Sequence, residues 1–152
     1  MAESVTDSIH KQITLRAQPE RVWKALTDHV EFGRWFQVEL DGPFVAGEVV
    51  EGRITYEGCS HMRFEARVEA LEPLRRFAYR WWPTVMEPGA PASGEASTLV
   101  EFFLEPADGG TQLTVIESGF DALPADRRED ALRRNDGGWT EQMQNIAAHV
   151  GG

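Results

Sequence analysis

Alternating apolar and polar side chains dominate the middle of the chain. In residues 60–71, Met62, Phe64, Ala66, Val68 and Ala70 point one way, while His61, Arg63, Glu65, Arg67 and Glu69 point the other. This period of two predicts a strand of an antiparallel sheet with one wet face. The same pattern recurs on both sides of it. Ile13, Leu15 and Ala17 alternate with Gln12, Thr14 and Arg16; Phe77, Tyr79 and Trp81 share one parity; so do Val100, Phe102 and Leu104. In the last strand Leu113, Val115 and Glu117 share one parity, with Thr114 and Ile116 on the other. Residues 48–56 and the short Val38–Leu40 segment complete the set. Turn residues separate these runs: Asp41-Gly42-Pro43, Glu57-Gly58, Glu72-Pro73 and Asp108-Gly109-Gly110. Residues 83–95, with three prolines and two glycines, have no period and read as a mobile loop.

Two segments show helical spacing instead. After the first strand, Gln18-Pro19-Glu20 opens a helix whose apolar side carries Val22, Trp23, Ala25 and Leu26. A second short turn, around residues 31–35, brings in Phe32, Trp35 and Phe36. Residues 124–150 form the long helix. Leu132, Trp139 and Ile146 recur every seven residues, and Met143 and Val150 follow Trp139 and Ile146 by four, which makes one apolar stripe. Gly137-Gly138 interrupts it at about 1 kcal/mol per glycine relative to alanine. Either the helix breaks there, or something approaches its backbone: closely packed sheet, or a ligand in the space that missing side chains leave. Asp136, seven residues before Met143, falls near the inward stripe and with Glu117 could give the interior an acidic end.

The element order is strand, two short helices, about six further strands and one long helix. The expected fold is α+β in a single domain spanning 1–152: a curved antiparallel sheet of six to seven strands wrapped around the C-terminal helix, a helix-grip arrangement with room for a cavity near the short helices.

Composition narrows the functions. A formal net charge of −10 argues against nucleic-acid or anionic-membrane partners. No apolar run approaches membrane-spanning length, and the single cysteine, Cys59, cannot form an internal disulfide, so a cytoplasmic location is expected. His10, His29, His61 and His149 are scattered without metal-ligand spacing and read as solvated surface residues; Cys59 has no neighbouring histidine to activate it. No catalytic, metal or cofactor motif emerges.

The aromatic supply is the stronger signal, with five Trp and eight Phe. Trp35, Phe44, Phe64, Tyr79, Trp81, Phe102 and Trp139, with Met62, Met143, Gly138 and Glu117, are the candidate lining of an apolar ligand cavity; packing of a plain core is the competing reading. Glu117 carries inward parity near a strand end. A buried carboxylate must find donors or carry a raised pKa, either as the cavity's polar anchor or in a structural bond to the adjoining loop or helix start.

The ordered set Pro19-Glu20-Arg21-Val22-Trp23-Lys24-Ala25-Leu26-Thr27, Trp35-Phe36, Glu101-Phe102-Phe103-Leu104-Glu105, Gly109-Gly110-Thr111, Glu117-Ser118-Gly119-Phe120 and Gly137-Gly138-Trp139 resembles the START-like (Bet v 1-like, SRPBCC) superfamily. Within it, the chain is similar to the Activator of Hsp90 ATPase homologue 1-like family across residues 11–150. That resemblance implies a helix-grip fold and, as the first expectation, a cofactor-free binding protein for an apolar small molecule. A co-chaperone-like module with a protein partner is the alternative, and a cyclase- or hydrolase-like enzyme using Glu117 is the third.

Overall fold

The computed structural model describes residues 8–55, 63–81, 97–122 and 125–151. Met62, Cys59, His61 and the expected loop at 83–95 lie outside them. Seven strands form one antiparallel sheet: β1 (Ser8–Leu15), β2 (Val38–Leu40), β3 (Val49–Ile54), β4 (Arg63–Glu72), β5 (Arg76–Trp81), β6 (Thr98–Ala107) and β7 (Gly110–Ser118). Their spatial order is β1-β7-β6-β5-β4-β3-β2. Six consecutive strands form a meander, and β1 closes it by pairing with the last.

The helices α1 (Pro19–Thr27) and α2 (His29–Phe36) bridge β1 and β2 at opposite edges of the sheet. One residue, Asp28, separates them. It ends α1 and caps α2, its carboxylate accepting from the amides of Val30 (2.9 Å) and Glu31 (3.2 Å). That cap explains why α2 starts at His29, earlier than its apolar residues suggest. The Trp35 indole donates to the Ala25 carbonyl (2.8 Å) and locks the two helices together. Gln37 then adopts a left-handed conformation (φ 69°) that turns the chain into β2.

Parity decides which side chains enter the core. Phe64, Ala66 and Val68 of β4, Phe77, Tyr79 and Trp81 of β5, Val100, Phe102 and Leu104 of β6, and Leu113 and Val115 of β7 are all buried. One correction concerns Ala70. A register shift between Val68 and Ala70 breaks the alternation of β4, and Ala70 is half-buried. The opposite face is wet and laced with charge: Arg76 bonds Glu101 (2.8 Å) and Glu72 (3.2 Å), and Arg53 bonds Glu39 (3.0 Å).

The long helix α3 (Ala125–His149) runs unbroken through Gly137-Gly138. Trp139, Met143 and Ile146 are buried, with Leu132 and Val150 partly so. Both expectations for the glycine pair are corrected. The helix does not break, and a Cβ on either glycine would meet nothing within 4 Å. At about 100° per residue, Gly138 and Gly137 lie about 100° and 200° behind Trp139. Both are exposed, so Gly138 does not border the aromatic interior. Asp136 is also exposed and pairs with Lys11 of β1 (3.1 Å), outside the interior it was expected to acidify.

Candidate functional site

The interior between sheet and α3 is an unbroken aromatic cluster. Phe32 and Phe36 stack at 4.8 Å; Phe32 meets Phe44 edge-on at 5.2 Å; Phe64 lies 5.9 Å from Trp81; Phe102 lies 5.7 Å from Trp139 and 6.5 Å from Trp35. Of the sequence-predicted lining residues, Trp35, Phe44, Phe64, Tyr79, Trp81, Phe102, Glu117, Trp139 and Met143 are buried together. Phe77 and Phe120, also fully buried, were not among them, although Phe77 shares the parity of Tyr79.

Glu117 is the polar centre of this apolar space, with none of its surface exposed. Its placement follows from the register. On β7 it lies opposite Ile9 of β1 and Val100 of β6, in the row of inward-facing residues. One inward step along β6 is Thr98, and directly opposite Thr98 on β5 is Trp81. Both reach one carboxylate oxygen, the Thr98 hydroxyl at 2.5 Å and the Trp81 indole N–H at 2.7 Å. From above, α3 supplies two donors one turn apart. The Trp139 indole N–H reaches the other oxygen at 2.8 Å, and the Asn135 amide spans both at 3.1 Å. Four donors from β5, β6 and α3 therefore fill the lone pairs of one carboxylate.

Every one of those donors is neutral. Burial raises the Glu117 pKa above the ordinary carboxylate value; the bonds from Thr98, Trp81, Trp139 and Asn135 pull it down but do not cancel the effect. Thr98 can reverse its role in place, because a hydroxyl both donates and accepts, whereas Asn135 can do so only by turning its amide over. A proton on Glu117 is best accommodated on the oxygen facing Thr98.

Tyr79 stands in the same cross-strand row, separated from Glu117 by Val100. Its hydroxyl is buried and makes no hydrogen bond among the described residues. Burial, then the Glu117 charge, pushes the phenol well above its usual pKa and keeps it protonated.

A second polar cluster joins the end of α3 to the short helices. Glu31 accepts from Arg21 (2.6 Å), lies 2.9 Å from His149 Nε2 and 3.8 Å from Lys24. His149 is therefore not a simple solvated side chain, a correction the sequence could not supply across so long a separation. Burial alone would raise the Glu31 pKa, but the hydrogen bonds and charges of Arg21 and His149 outweigh it and hold it below the ordinary value. Among the described residues no group of three or more His, Cys, Asp or Glu could hold a metal ion, and no helix is long and apolar enough to cross a membrane.

An open, curved antiparallel sheet gripping a C-terminal helix, with two short helices after the first strand, defines a START-like domain of the SRPBCC superfamily. Residues 16–151 match the family model of the Activator of Hsp90 ATPase homolog 1-like protein, and the chain belongs to that family. No curated protein matches it significantly in sequence. Several solved structures share the fold. MLL2253 from Mesorhizobium loti is 21% identical with a TM-score of 0.74, the match covering 94% of this chain and 96% of that one. The Aha1 dimer from Colwellia psychrerythraea is 18% identical with a TM-score of 0.71, covering 94% and 95%. DynU16, from the dynemicin biosynthetic locus, is 21% identical with a TM-score of 0.72; 95% of this chain is covered, but it spans only 47% of DynU16.

Proposed function

We propose that this domain binds a small apolar molecule between α3 and the sheet, without a cofactor, and that Glu117 is the fixed polar point of the site. The observation that carries this reading is a fully buried carboxylate, held by two indoles, a hydroxyl and an amide, inside an aromatic shell. Apolar walls with a few placed polar groups are the usual design of small-molecule sites. The rings touch one another, so uptake displaces rings and does not simply fill a fixed hollow. Trp81 and Trp139 touch Glu117 directly, and Phe64 and Phe102 pack against those two indoles. Because its oxygens are filled by donors, Glu117 is held in place and is not free to exchange a proton with a ligand, which places an enzymatic role behind a binding role.

A protein-partner role is the competing reading, prompted by the family's name and by the Colwellia Aha1 dimer. It needs a contiguous apolar surface. Among the described residues the exposed large apolar side chains are Val30 on α2, Val45 in the β2–β3 connection, Val49 at the start of β3, and Leu74 in the β4–β5 turn, with no single element carrying them all. The single cysteine suits a reducing compartment, and we place the domain in the cytoplasm.

Titration with N-phenyl-1-naphthylamine, a neutral apolar fluorophore, tests the binding role. The expected result is enhanced emission that saturates at one probe per chain. Native mass spectrometry of the purified protein then identifies any co-purifying organic molecule. No enhancement at micromolar protein, together with a bare-chain mass, defeats the proposal.

A further inference from the structure

Among the described residues, almost every polar group facing the aromatic interior is already committed. The Trp35 N–H is spent on the Ala25 carbonyl, those of Trp81 and Trp139 on Glu117, the Thr98 hydroxyl on Glu117, and the Thr111 hydroxyl on the Ala17 carbonyl. The Tyr79 hydroxyl is the exception. The residue is fully buried, its ring is packed among Phe32, Phe64, Phe77, Trp81 and Phe102, and its oxygen has no partner among the described residues. A phenylalanine would fill the same space without the cost of desolvating a hydroxyl.

The register says what lies within reach. Tyr79, Val100 and Glu117 are successive members of one cross-strand row. Two strand spacings separate Tyr79 from Glu117, about 10 Å between their backbones. One bicyclic aromatic molecule lying on this row spans that distance. At the Tyr79 end it meets a hydrogen-bond donor. At the Glu117 end it meets a carboxyl group whose lone pairs are taken, which offers no acceptor to the ligand and, when ionised, repels negative charge.

We propose that the Tyr79 hydroxyl is the specificity-determining donor of this site, binding the carbonyl oxygen of a neutral, flat, apolar ligand, while Glu117 turns away anionic analogues. This rests on the binding role proposed above. It adds a chemical class: a ketone or ester carbonyl on an aromatic body, selected over both the matching hydrocarbon and the matching carboxylate.

Three probes of one shape separate these statements: 2-acetylnaphthalene, 2-isopropylnaphthalene and 2-naphthoate, titrated calorimetrically into the wild-type protein and into Tyr79→Phe. In the wild type the ketone is expected to bind about tenfold more tightly than the hydrocarbon and at least tenfold more tightly than the carboxylate. Tyr79→Phe is expected to lose the preference for the ketone, to bind the hydrocarbon unchanged, and to melt no lower than the wild type, since the substitution removes only a hydroxyl without a partner among the described residues. Equal binding of ketone and hydrocarbon by the wild type overturns the inference, as does a Tyr79→Phe variant that keeps the preference. A clear fall in melting temperature for Tyr79→Phe also overturns it, because the hydroxyl would then be bonded within the folded protein. Failure of all three probes to bind the wild type defeats the binding role itself, an outcome distinct from loss of selectivity alone.

Discussion

Trp139→Phe isolates one bond of the Glu117 cage. The indole is buried, and its N–H donates to the carboxylate at 2.8 Å while its ring lies 5.7 Å from Phe102 and 5.8 Å from Trp81. Truncation to alanine removes ring and bond together. That substitution costs about 3–5 kcal/mol, a large share of the about 5–15 kcal/mol available to a typical domain. Phenylalanine keeps most of the ring contact and deletes the donor. A hydrogen bond to a charged group contributes about 1.5–3 kcal/mol, and one to a neutral group about 0.5–1.5 kcal/mol. The cost of Trp139→Phe should therefore grow with pH as Glu117 ionises, towards about 2–3 kcal/mol. Urea unfolding followed by circular dichroism avoids the confusion of deleting a fluorophore. With m of about 1–3 kcal/mol/M, the midpoint should fall by about 1 M at unchanged m. A change of less than about 0.5 kcal/mol at every pH would refute the cage as described.

The remaining expectations are simpler. Because Glu117 has a raised pKa when folded, its contribution is fully present below the unfolded carboxyl value, about 4.3, and is lost as pH rises through the folded value. Glu117→Gln should flatten that part of the pH profile of melting temperature, and an unchanged slope contradicts the assignment. Glu31 is the opposite case: held below its ordinary value, it contributes stability above the unfolded pKa that disappears as pH falls through the folded one, so Glu31→Gln should narrow the gap between the melting temperatures at pH 7 and pH 3. Gly138→Ala adds a methyl group to an exposed, open helix position and should stabilise by up to about 1 kcal/mol; a lower melting temperature would mean that something packs there. Asp28→Ala removes the α2 cap and should cost about 1 kcal/mol by urea unfolding.

Much of the cage is written in local pattern. The parity of Leu113, Val115 and Glu117 places the carboxylate inside, and the same reasoning on Val100 and Phe102 extends to Thr98. Asn135 precedes Trp139 by one helical turn, so the spacing that turns Trp139 inward brings Asn135 to the same face. What the pattern does not carry is register between elements. The Val68/Ala70 shift reverses the parity of β4 without any glycine or proline to announce it. The Glu31–His149 contact joins residues 118 positions apart. The glycine pair misleads for a different reason: a missing side chain looks the same whether the space beside it is crowded or open, and only the position of its neighbours decides.

The binding role proposed for the Glu117 cage is tested most directly by the indole N–H resonances in a proton–nitrogen correlation spectrum. Trp81 and Trp139 both donate to Glu117, Trp35 donates to a backbone carbonyl in α1, and the Trp23 side chain is only partly buried. Assigned by single Trp→Phe variants and titrated with 2-acetylnaphthalene, the Trp81 and Trp139 resonances are predicted to shift together and to saturate at one equivalent, while Trp23 stays in place. Shifts confined to Trp23, or no shift at saturating probe, would contradict the assignment of this carboxylate cage as a ligand site.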